Sequence, residues 1–166
     1  MGYKHNVEDI ISKGAELFRK KGYHNVGINE ILKACEIPKG SFYNFFDTKE
    51  KFTEKVIESY GTSSLNMIVN ALGDKSKSPL ERLKQFYSML IDINEKDGMD
   101  AGCLLNNLSI EVGGFNPGIS KVADKIFKIW IEEIARCVEE GQDEGEIIDT
   151  MPAEDIAEYM HAGLFG

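Results

Sequence analysis

The sequence predicts an all-α fold: a three-helix N-terminal headpiece with a helix-turn-helix, followed by a helical bundle. Three observations carry this. Apolar residues recur every three or four positions along most of the chain, and no run alternates with period two. Polar caps, glycines and prolines punctuate these runs at helix-length intervals. Residues 28–46 hold two short helical segments around a tight turn at Cys35-Glu36-Ile37, the spacing of a helix-turn-helix.

Asn6, with Asp9 three residues on, is an N-cap, and Val7, Ile10, Ile11, Ala15, Leu17 and Phe18 then follow one helical face. Arg19, Lys20 and Lys21 suit the negative end of that helix, and Gly22 is its natural stop. Gly27 caps a short second helix with Glu30 at its third position and Ile28, Ile31 and Leu32 inward. Pro38 cannot continue that helix but can open the next. Asp47 with Glu50 forms a capping-box-like start for a long helix through Leu72.

After a polar break at 73–78, Ser78-Pro79 with Glu81 starts a fifth helix, its apolar face made by Leu80, Leu83, Phe86, Tyr87 and Leu90. A turn at 98–102 precedes a shorter helix over Cys103 to Val112, which Gly113-Gly114 breaks. Asn116-Pro117 starts a long helix carrying Ile119, Val122, Ile126, Ile129, Trp130, Ile134 and Val138 at helical spacing. Residues 141–145 end it, and Pro152 opens a last helix that the chain end cuts at Gly166.

Hydrophobic residues are 42% of the 166, enough for a packed core and too many for a disordered chain. No apolar run approaches the ~20 residues of a membrane span, and residues 1–6 lack the apolar region of a signal peptide. Cys35, Cys103 and Cys137 are too scattered for a disulfide framework or a metal pair, which points to a reducing cytoplasm. His5, His24 and His161 form no ligand set, so neither metal nor cofactor is expected. GxSxG, P-loop, dinucleotide and HExxH motifs are absent, and no acid/base set converges on a cleft. An enzyme is not expected.

The net charge of −9 argues against nucleic acid only until it is divided. Residues 1–55 hold 10 Lys and Arg against 8 Asp and Glu, a net of +2; the remainder holds 9 against 20, a net of −11. With a Debye length of about 8–10 Å in physiological salt, a mildly basic head on an acidic body can still meet phosphates.

Within the motif, Lys39 opens the second helix, where it can reach a phosphate or a guanine edge. Gly40 lets the backbone approach DNA closely. Ser41 and Asn44 are short hydrogen-bonding side chains suited to base or phosphate, and Tyr43 offers a hydroxyl to phosphate and a ring to a thymine methyl. Phe42 and Phe46 are packing residues.

The stretch Pro38-Lys39-Gly40-Ser41-Phe42-Tyr43-Asn44-Phe45-Phe46-Asp47-Thr48-Lys49-Glu50-Lys51-Phe52 resembles the TetR family of transcription repressors, and Gly22-Tyr23 and Glu30-Ile31 fit the same pattern. The specific resemblance covers residues 6–55. It implies that Lys49 clamps a phosphate, and it adds Gly27 and Asn29, on the first helix of the motif, to the candidate DNA contacts. Three residues depart from the pattern. Gly27 stands where the family often has a capping Thr, Glu36 where it often has a turn Gly, and Phe45 where it often has His or Tyr. If Glu36 adopts the left-handed conformation, it costs about 1 kcal/mol.

The resemblance also implies that residues 51–166 form a ligand-binding and dimerisation domain behind a DNA-binding domain at 1–50, the chain stopping in what corresponds to the penultimate helix. The expected function is a sequence-specific DNA-binding regulator: a repressor that binds a palindromic operator as a homodimer and is released by a small-molecule inducer or a thiol-modifying signal. The alternative is a helical interaction module that has lost specific DNA binding, a reading kept open by Gly27, Glu36 and Phe45. Candidate ligand-facing residues are Met67, Phe86, Met89, Leu90, Cys103, Leu104, Asn107, Phe127 and Trp130, although most apolar residues at such spacing are simply core. Asn107 is taken as a buried amide in need of a partner. Cys103, at a helix start, resembles the sensing cysteine of one branch of the family; a buried inert thiol is the ordinary alternative. Cys35 and Cys137 are packing residues.

Overall fold

The computed structural model describes residues 6–96 and 102–165, with the Phe165 side chain left out. His5 and most of the turn expected at 98–102 lie outside the described residues. The described chain is all-α, as expected, with eight helices: α1 (Val7–Lys21), α2 (Ile28–Cys35), α3 (Lys39–Phe45), α4 (Lys49–Leu72), α5 (Pro79–Lys96), α6 (Leu104–Val112), α7 (Pro117–Asp143) and α8 (Ala153–Phe165).

The caps explain most of these boundaries. The Asn6 side chain accepts from Glu8 N at 3.1 Å, and Gly22 ends α1 at φ +75° while its N–H reaches the Phe18 carbonyl at 2.8 Å. Asn116 Oδ1 accepts from Ile119 N at 3.1 Å at the head of α7, and Ser78 Oγ from Glu81 N at 3.4 Å at the head of α5. The start of α4 differs from expectation. Thr48, not Asp47, is the cap: its Oγ1 accepts from Lys51 N at 3.1 Å, the third helical position counted from Thr48. Pro38 sits at the cap of α3, one position before the helix rather than inside it.

The chain forms two compact units. The first takes the described part of Met1–Gly61 together with Gly102–Asp124, so α6 and the head of α7 belong with the helix-turn-helix. Its centre is aromatic. Phe52 on α4 lies 5.4 Å from Phe42, 4.9 Å from Phe46 and 6.0 Å from Phe18, ring centroid to centroid. Burying each such ring is worth about 1.5–3 kcal/mol. A Cβ at Gly14 would lie 2.2 Å from Phe52 Cζ, so α1 approaches α4 at a distance only glycine allows. Leu104, Leu105, Leu108 and Val112 bury one face of α6.

The second unit takes the described parts of Thr62–Ala101 and Lys125–Gly166. Ile68, Leu72, Leu83, Phe86, Trp130, Ile131, Ile134, Val138 and Ala157 are among its buried side chains. Arg82 is buried with them. Its Nη1 donates to the Leu72 carbonyl that ends α4, and its Nη2 donates to Glu140 on α7 at 2.5 Å. A desolvated guanidinium is tolerable only with such partners. Cys35 and Cys137 are buried, as expected of packing residues, and burial pushes both thiols up from their ordinary value.

Candidate nucleic-acid interface

The helix-turn-helix is built from α2, the turn and α3. Glu36 occupies the left-handed region at φ 55° and ψ 38°, and its N–H and that of Ile37 reach back to the Lys33 and Leu32 carbonyls at 3.3 and 3.1 Å. The turn therefore closes tightly at the cost foreseen for a residue with a Cβ. Ile37 and Cys35 are buried beside it, which anchors the turn on both flanks.

Seven residues make α3, and they divide by face. Phe42 is 0% exposed and Phe46, just past the helix, is also buried. Lys39, Gly40, Tyr43 and Asn44 are exposed, and Ser41 is half-buried. The Lys39 ammonium stands 5.9 Å from the Tyr43 ring centroid, and Tyr43 meets Phe42 edge to face at 5.5 Å. Phe45 is exposed at 45%, an apolar ring on the open side of the motif. At the head of α2, the N-cap Gly27 and Asn29 are exposed; Gly27 is extended at φ −90°, and among the described residues nothing stands within 4 Å of a Cβ placed on it or on Gly40.

Lys49 is held more firmly than its surface role would suggest. Its ammonium donates to the Tyr23 carbonyl at 2.6 Å and lies 3.7 Å from the Tyr23 ring centroid. Burial pulls the Lys49 pKa down from its ordinary value, against the opposing influence of the Glu50 and Glu111 carboxylates. The Tyr23 hydroxyl donates to Glu50 at 3.3 Å, and burial together with the Glu50 charge pushes its pKa up to about 12. Of the three N–H groups an ammonium carries, one is committed to Tyr23. Sequence reasoning missed the residue behind this arrangement. Glu111, on α6, accepts from Tyr23 N at 2.8 Å and from His24 N at 2.7 Å. Nothing local in the sequence marks a partner 88 positions away.

The candidate ligand-facing residues divide between the units. Cys103, Leu104 and Asn107 belong to the first unit, and Met67, Phe86, Met89, Leu90, Phe127 and Trp130 to the second. Phe127 and Trp130 meet edge to face at 5.7 Å, with His161 at 5.5 and 6.1 Å from the two rings. Burial pulls the His161 pKa down. Asn107 is exposed rather than buried, because the four leucine and valine side chains of α6 take its inner face. Cys103 is the N-cap of α6, as its sequence position suggested; it is 4% exposed, and the Tyr60 hydroxyl donates to its sulfur at 3.7 Å. The hydroxyl of Tyr87, on α5, is buried without a hydrogen-bond partner among the described residues. Among the described residues, no group of three His, Cys, Asp or Glu side chains could hold a metal ion, and no helix is long and apolar enough to cross a membrane.

Comparison with known proteins agrees along both parts of the chain. Residues 10–56 match the model of bacterial regulatory proteins of the tetR family, and residues 79–166 match that of the tetracyclin repressor-like C-terminal domain. The HTH-type transcriptional repressor DhaR of Mycobacterium sp. (strain GP1) is 30% identical, over 96% of this chain and 78% of its own length. The transcriptional regulator AcuR of Cereibacter sphaeroides is 33% identical, over 96% of this chain and 73% of its own. The crystal structure of regulatory protein TetR from Rhodobacter sphaeroides superposes with a TM-score of 0.87 at 33% identity, covering 94% of this chain and 82% of that one. The reduced form of E. coli NemR shares the fold, with a TM-score of 0.88 at 24% identity over 96% and 83% of the two chains.

Proposed function

Because this chain belongs to the TetR family and is a DNA-binding transcription regulator, we propose that it is a repressor that reads a palindromic operator as a homodimer and leaves it on a chemical signal. The observation that carries this reading is the division of α3: Phe42 is wholly buried, while Lys39, Gly40, Tyr43 and Asn44 form an open polar face. Lys39, Ser41 and Asn44 specify bases; Tyr43 and Lys49, with Gly27 and Asn29 at the head of α2, position the protein on phosphates. The alternative of a helical module without specific DNA binding draws no support from relatives that carry the names of repressors and regulators.

In this reading residues 1–50 supply the DNA contacts and residues 51–166 the inducer site and dimer contacts, in the cytoplasm. Two recognition helices must then lie about 34–36 Å apart, one turn of the duplex. An inducer works by favouring a headpiece spacing that misses that distance. Met67, Phe86, Met89, Leu90, Phe127 and Trp130, all in the second unit, are the proposed inducer-facing residues. The buried Tyr87 hydroxyl, unpartnered among the described residues, is added as a polar contact. Cys103 is the proposed target of a thiol-modifying signal. Footprinting on DNA upstream of the protein's own gene should show two protected half-sites one helical turn apart. Protection of no site at low salt would refute the reading.

A further inference from the structure

Glu111 lies one residue from the end of α6, yet it holds a loop of the DNA-binding headpiece. Its two carboxylate oxygens are divided between successive backbone N–H groups, Oε2 taking Tyr23 N at 2.8 Å and Oε1 taking His24 N at 2.7 Å. Charge-assisted bonds of this kind are roughly twice as strong as neutral ones. Gly22 completes the seat. Its φ of +75° suits glycine, and a Cβ there would lie 2.9 Å from Glu111 Oε2.

The Tyr23–His24 peptide is held from both sides. Its N–H, that of His24, donates to Glu111 Oε1 at 2.7 Å while its carbonyl, that of Tyr23, accepts from the Lys49 ammonium at 2.6 Å, and the Tyr23 ring lies 3.7 Å from that ammonium. One residue of the loop thus ties the end of α6 to the first residue of α4. A carboxylate on the N–H side polarises the backbone toward a cation on the carbonyl side.

We propose that Glu111 is a positioning residue for operator binding: it sets the 22–24 loop so that Tyr23 aims the Lys49 ammonium at the DNA backbone. The proposal rests on the DNA-binding role of Lys49 given above. Glu111 touches no DNA itself and acts through Tyr23 and Lys49.

The test is a double-mutant cycle in the full chain, with Glu111→Ala, Glu111→Gln, Lys49→Ala and the combinations, read by anisotropy on the upstream palindromic fragment across a salt series. Glu111→Gln keeps the shape and one acceptor, so it serves if the alanine variant does not fold at the assay temperature. The expected result is a loss on the order of tenfold in affinity, with a log–log salt slope shallower by about 0.9, one phosphate's share. In the Lys49→Ala background neither Glu111 variant should add to the loss. A purely structural Glu111 would leave the slope unchanged, or would add its full effect on top of Lys49→Ala, and either outcome overturns the proposal. Operator binding by the unaltered chain with no effect of Glu111 would sink this inference alone. No binding by the unaltered chain would sink the functional reading first, and this inference with it.

Discussion

The Lys39 ammonium stands 5.9 Å from the Tyr43 ring centroid, so two side chains proposed to meet DNA share one open face of α3. Gly40 lies on that helix with open space where a Cβ would be. Gly40→Ala should therefore move stability and DNA binding in opposite directions. Gly40 is the second residue of α3, so alanine gains at most the ~0.5–1 kcal/mol it holds over glycine in mid-helix, while the added methyl stands between backbone and duplex. Thermal melts should rise and operator affinity should fall. A variant whose affinity is unchanged would show that the backbone at Gly40 does not approach DNA.

Glu36→Gly should improve both properties. The left-handed backbone at φ 55° costs a residue with a Cβ about 1 kcal/mol, which glycine avoids. For a chain of this size, that much stability raises the melting temperature by roughly 2–4 °C. Removing an exposed carboxylate beside the recognition helix should also tighten binding, more at low salt than at high. A lower melting temperature would mean the turn is held by something other than its backbone geometry.

The Arg82–Glu140 pair predicts an acid-sensitive component of stability. Hydrogen bonds from Arg82 and then Lys75 hold the Glu140 carboxyl below its ordinary value of 4.5. A depressed folded-state value means that its contribution is fully present above the unfolded value and is lost as pH falls through the folded one. Glu140→Gln should lower stability at neutral pH, and its curve should converge with that of the parent chain as pH falls below 4.5 and through the lowered folded-state value. Urea melts across that range check this; parallel curves would remove Glu140 as a source of the pH dependence.

Cys103 caps α6 with its sulfur accepting from Tyr60 at 3.7 Å, and the residue is almost fully buried. Modification must therefore wait for a local opening, and labelling of the folded chain should be much slower than of the denatured chain. An electrophile should release operator DNA from the parent protein and not from Cys103→Ser. Equal release from both would take Cys103 out of the mechanism.

What was legible in the sequence is what short-range chemistry decides. Asn6, Gly22, Ser78 and Asn116 each satisfy or end a helix within three or four residues, and each does so in the fold. The cap of α4 moved from Asp47 to Thr48 because two adjacent residues can both serve and only geometry chooses. The exposed polar and buried aromatic faces of α3 follow from residue type at helical spacing. Asn107 was misplaced because α6 has only nine residues, too few for the apolar pattern to name its inner face. The clasp of Glu111 on Tyr23 and His24 left no trace, since a carboxylate 88 residues from a backbone N–H has no local signature. The inclusion of α6 in the headpiece unit was hidden for the same reason.

The most direct test is anisotropy with the upstream palindrome and a scrambled duplex of equal length, for the parent chain and Lys39→Ala, at low and physiological salt. The parent chain should prefer the palindrome by a factor on the order of 10³ or more and weaken steeply with salt. Lys39→Ala should lose much of that preference while still binding both duplexes weakly. Equal affinity of the parent chain for both duplexes, with no change in Lys39→Ala, would contradict the assignment of α3 as the element that reads DNA.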